Sequence, residues 1–190
     1  MNKEKLLQNI LGVLSQVRDN KEKLQLIYDF FFEEIYEDEE DEEPIEIPKK
    51  YKSFIKDIAQ SIDCGHICYI NPRTMECIDI PIDVENAFMG DEENPFQNEL
   101  DKTDTWEKVI TIEPLESHES FEIMKRFVNK VPNEKLQNKL WNVLEHRKPF
   151  ANFKNLIDNS DYRQDWFDFK QSCLEEHVFE ILQIDGIFKN

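Results

Sequence analysis

The sequence predicts an α+β domain, and three observations predict it. Apolar residues recur at helical spacing over residues 48–62 and again between 117 and 182. They switch to alternation at Ile67–Ile70, Cys77–Ile80 and Val109–Ile112. Turn chemistry at Asn71-Pro-Arg-Thr74 separates the first two alternating runs and joins them as a hairpin. The expected architecture is a small antiparallel sheet of about three strands, packed with a mostly helical C-terminal subdomain and preceded by an N-terminal helical hairpin.

At the N-terminus, Leu6, Leu7, Ile10, Leu11, Leu14 and Val17 stripe a first helix with Asn2 as its cap. Leu24, Ile27, Tyr28, Phe31 and Ile35 stripe a second helix that starts near Asn20. Such stripes have to be covered, which makes residues 1–36 a candidate for docking or homo-oligomer contacts. Glu37 to Glu43 is an unbroken acidic run followed by Pro44, self-repelling and with nothing to bury, and is expected to be a mobile linker. The organisation that follows is an N-terminal unit over 1–46 and a core domain over 47–190.

In the core domain, Tyr51, Phe54, Ile55, Ile58, Ala59 and Ile62 form the apolar face of a helix at 48–62. Pro72 presets the second position of a type I turn in the hairpin, which would set Cys68 opposite Cys77. Residues 81–105 read as acidic and irregular, and Val109–Ile112 as a third strand. Phe121, Met124, Phe127 and Val128 then face inward from a helix over 117–130 capped by Ser117, and Leu136, Leu140, Val143 and Leu144 from a helix capped by Asn133. Pro149 suits the first turn of a short helix carrying Phe150, Phe153, Leu156 and Ile157. The last helix runs from Asp161 to Leu182, and Gly186 ends it.

The 190 residues carry 23 basic and 41 acidic side chains, a formal charge of -18. That field repels phosphate backbones and anionic bilayers, so free nucleic acid and membranes are unexpected partners. The balance is uneven: -7 over 1–63, -10 over 64–116 and -1 over 117–190. Without a signal segment or a long apolar run, a cytoplasmic protein with four reduced cysteines is expected.

Several segments in order resemble a bacterial uncharacterised protein family, UPF0158. They are Tyr69-Ile-Asn-Pro-Arg-Thr-Met-Glu76, Ile112-Glu-Pro-Leu115, Met124-Lys-Arg-Phe127, Pro149-Phe150 with Phe153-Lys154, and Trp166-Phe-Asp-Phe169. The resemblance covers about residues 50–187. Met75 stands where the family usually turns with Gly, and residues 1–46 look like an extension the family generally lacks. The resemblance implies no activity, cofactor or catalytic residue.

Three groups of residues could carry chemistry. Arg147, Lys148, Lys154 and Arg163 could hold an anionic group, with Phe150 or Trp166 as a stacking face; equally, the aromatics fit a core stripe and the cations fit surface ion pairs. Cys64, His66 and Cys68 alternate onto one face of a strand and Cys77 follows across the turn, a set that could hold a metal or form a redox bond, although no short Cys-x-x-Cys pair is present. Asp79, Asp83, Glu85, Asp91, Glu92, Glu93, Asp101 and Asp104 could hold a divalent cation or do acid–base work, but they show no calcium-loop spacing. Four glycines leave no phosphate-cradling loop, and Ser117 beside His118 lacks a nucleophile's turn.

The reading of the sequence is therefore a non-enzymatic protein-interaction or regulatory module, with no cofactor, that turns an acidic surface toward a basic partner. The alternative is an enzyme or binding protein for a small anion held by the C-terminal basic and aromatic cluster.

Overall fold

The structure is a computed structural model that describes residues 3–18, 20–21, 23–24, 26–27, 45–83 and 94–188. The chain divides into two compact units, Met1–Glu46 and Ile47–Asn190. In the first, α1 spans Lys3–Val17. A second helical start follows at Asn20, whose side chain accepts from the Lys23 N–H at 3.0 Å. Of the expected stripe residues, Ile10, Leu14, Val17, Leu24 and Ile27 are half-buried while Leu11 is exposed. Tyr28, Phe31, Ile35 and the acidic linker lie outside the described residues.

The second unit runs α2 (Lys52–Asp63), β1 (His66–Asn71), β2 (Glu76–Pro81), α3 (Gln97–Asp104), β3 (Ile110–Ile112), α4 (Ser117–Lys130), α5 (Glu134–Leu144), α6 (Pro149–Asp158) and α7 (Arg163–Ile184). This is the expected α+β class. The three strands pair antiparallel in the order β2-β1-β3, so β1 is central and β2 is an edge. α2 buries Ile55, Ile58, Ala59 and Ile62 and packs on β1 and α7, while α7 also reaches β3. Gly65, with φ of 83°, turns the chain from α2 into the sheet, where a side chain would be strained.

A second core lies among the C-terminal helices, built from Met124, Phe127, Val128, Leu140, Leu144, Phe153 and Ile157, with Trp166 and Phe169 packed against it. Phe127 makes edge contacts with Phe153 and Trp166, whose ring centroids lie 6.5 and 5.2 Å away. Among the described residues, no helix is long and apolar enough to cross a membrane.

Four local expectations are corrected. The hairpin pairs Asn71 with Glu76, which leaves Pro72–Met75 as a four-residue turn; the Asn71 side chain accepts from the Arg73 and Thr74 N–H groups, and Met75 closes the turn at φ 61°. Cys68 therefore opposes Asp79, and Cys77 opposes Ile70. Cys64 caps α2 instead of sharing a strand face with His66 and Cys68.

Residues 97–104, expected to be irregular, form α3. This helix is held by tertiary contacts in place of an apolar stripe: Lys102 pairs with Glu76, and Thr103 is buried. Finally, α4 is capped by Glu116, with Ser117 as its first residue, and Glu119 accepts the Glu116 N–H at 2.7 Å. Asn133 caps α5 as expected, accepting from the Leu136 N–H at 3.0 Å.

Candidate functional site

The hairpin gathers a polar chain on the sheet face that meets α2. His66 Nδ1 lies 2.7 Å from Asp79 Oδ2, and the Ser61 hydroxyl of α2 donates to the same oxygen at 3.3 Å. Beside them the Cys68 and Cys77 thiols are hydrogen-bonded to each other. Both contacts run along the same diagonal of the antiparallel ladder, because each partner is two residues away from the one directly opposite.

Cys68 is fully buried on the central strand and Cys77 half-buried on the edge strand. Donation of its S–H to Cys77 pushes the Cys68 thiol far above the ordinary range, reinforced by burial and by the Cys77 and Asp79 charges. The same hydrogen bond lowers Cys77 against the opposing effects of burial, Asp79 and Asp57. Among the described residues no group of three or more His, Cys, Asp or Glu side chains could hold a metal ion.

The candidate residues of the C-terminal cluster lie in different settings. Trp166 lies 4.9 Å centroid to centroid from Phe153, within the helical core. Arg163 pairs with Asp158 at 3.2 Å and covers the Phe167 ring at 4.7 Å. Phe150 is 43% exposed and neighbours Phe121 at 6.3 Å. Arg147, Lys148 and Lys154 are exposed at the start of α6 and along it, and Lys148 adopts a left-handed φ of 60° ahead of Pro149.

A different cation and aromatic contact, not foreseen, lies between α4 and α7. Arg126 and Lys130, one turn apart, stand 5.9 and 4.9 Å from the centre of the Phe169 ring. The i, i+4 spacing of the two cations was visible in the sequence, but their aromatic partner comes from a helix far along the chain.

The described acidic candidates have separate surroundings. Asp79 belongs to the hairpin chain, Asp101 accepts from Gln97 at 2.7 Å within α3, and Asp83 and Asp104 are exposed. Glu85, Asp91, Glu92 and Glu93 lie outside the described residues. Ser117 is exposed and does not face a base; His118 instead lies 3.1 Å from Glu116.

A UPF0158 protein of Pseudomonas aeruginosa is 30% identical over 82 residues, which are 43% of this chain and 54% of that protein. The chain thus matches about half the length of that curated relative. No solved structure matches. The profile described as Uncharacterised protein family (UPF0158) matches residues 44–189, nearly the whole of the second unit with its sheet and both cores, and the chain belongs to that family.

Proposed function

We propose that this protein is a non-enzymatic interaction module whose acidic surface engages a basic partner protein. One observation carries the reading. Residues 64–116 hold three basic side chains against thirteen acidic ones, and all three cations are already neutralised. Arg73 pairs with Glu107, Lys102 with Glu76 and Lys108 with Asp185. Glu99, Asp104 and Glu113 stand exposed beyond those pairs. An uncompensated field of this kind speeds encounter with a cationic surface and weakens as salt screens it.

The test is capture from bacterial lysate at low and high salt, with the wild type beside a variant carrying Glu99→Gln, Asp104→Asn and Glu113→Gln. The expected result is a basic protein retained at low salt, released at high salt and lost with the variant. Recovery of nothing salt-sensitive, or equal capture by the variant, would end this reading.

A second reading, a small anion at the start of α6, draws support from Arg147, Lys148 and Lys154, which carry no ion pair among the described residues, beside the exposed Phe150. It predicts a rise in melting temperature with a phosphate or an organic anion that disappears in Arg147→Ala or Lys154→Ala. A flat response across such a panel leaves the interaction reading alone.

A further inference from the structure

We propose that Cys68 and Cys77 form a reversible peroxide-responsive pair, in which Cys77 is oxidised first and Cys68 resolves it to an intrachain disulfide. The pair stands on geometry: the two thiols share one sheet face, touch across the ladder diagonal, and differ in access, with Cys77 half-buried on an edge strand and Cys68 sealed beneath α2. The attacking and resolving roles follow from that difference.

The chemistry closes on itself. The Cys77 sulfur attacks one oxygen of a hydroperoxide, breaking the O–O bond and giving a sulfenic acid and water (or an alcohol from an organic peroxide). The Cys68 sulfur then displaces the sulfenic hydroxyl, which leaves as water with the Cys68 proton, and the S–S bond forms. Two thiols lose two electrons in all, and the peroxide gains them.

Asp57 and Asp79 both act on Cys77 with negative charge, which opposes an anionic sulfinate or sulfonate there and does not oppose a neutral disulfide. The two thiols already meet across that diagonal, and the edge position of β2 leaves a disulfide there open to reductant.

The full chain, reduced and then treated with hydrogen peroxide, is read by intact mass and by non-reducing peptide mapping. The expected product is two hydrogens lighter, carries a Cys68–Cys77 linked peptide, and returns to the starting mass with dithiothreitol. Cys64→Ser and Cys173→Ser leave this product unchanged. Cys77→Ser abolishes it, and Cys68→Ser leaves a sulfenic acid at Cys77 that a dimedone-type probe captures. Circular dichroism confirms that each variant is folded, and if Cys68→Ser fails to fold, wild type and Cys77→Ser decide. Oxygen addition at Cys77 without a linked peptide, linkage through Cys64, or no peroxide product at all would overturn the proposal.

Discussion

His66 Nδ1 is bonded to Asp79 Oδ2 at 2.7 Å although the backbone sets Asp79 opposite Cys68. Strand twist brings one diagonal of an antiparallel pair within reach of polar side chains, and here it joins two residues that neither neighbour in sequence nor face each other in register. The side chains are 31% and 45% exposed, so solvent screening limits the worth of the pair. Comparing His66→Ala, Asp79→Ala and the double variant in urea should give a coupling free energy of about 0.5–1 kcal/mol. Strictly additive effects would mean that the contact contributes nothing to stability.

Phe153 is the hub of the helical core, 1% exposed and in ring contact with both Phe127 and Trp166. Phe153→Ala should destabilise the protein by about 3–5 kcal/mol, the sum of lost transfer energy and the cavity left behind. Equilibrium denaturation measures it directly. A loss below about 1 kcal/mol would show that the surrounding helices collapse into the space.

Met75 occupies the left-handed region at φ 61°, which costs an ordinary residue about 1–2 kcal/mol. Met75→Gly should raise stability by about 0.5–1 kcal/mol, since relief of strain exceeds the extra backbone entropy that glycine loses on folding. Met75→Val should move the melting temperature in the opposite direction, because a β-branched side chain tolerates this conformation least. A destabilising glycine would mean that packing of the Met75 side chain outweighs the backbone term.

Burial pushes the Cys173 thiol from its ordinary 9.0 up to about 11, with Arg126 and Lys130 pulling it partly back and Glu176 opposing them. The folded state then holds this proton more tightly than the unfolded chain does. Its contribution is complete below pH 9 and is lost as pH rises toward 11. Wild type should lose on the order of 2 kcal/mol more than Cys173→Ala over that interval. Urea midpoints at pH 8 and pH 11 provide the comparison, and parallel losses in the two proteins would refute it.

Much of the architecture was legible in the chain because apolar period is a local signal. The α2 stripe, the two alternating runs around Asn71-Pro72 and the four C-terminal helices all announce themselves within windows of ten to twenty residues. α3 did not, because Leu100 is its one aliphatic side chain, and the helix rests on the Lys102–Glu76 pair and the burial of Thr103. The cap of α4 is not legible to the residue in sequence, since Glu116 and Ser117 both carry an acceptor and only the backbone chooses between them.

The sequence by itself determined the fold class, the family and the concentration of negative charge before residue 117, because each depends on residue type and order alone. Tertiary structure decided which side chains meet. A turn longer by two residues moved Cys77 away from Cys68 in register, yet the diagonal restored their contact and made the His66–Asp79 pair beside it. It also separated Trp166 from Lys154, sending one into the helical core and the other to the surface. Register, twist and burial are properties of packed elements, and they fix distances that spacing along a chain leaves open.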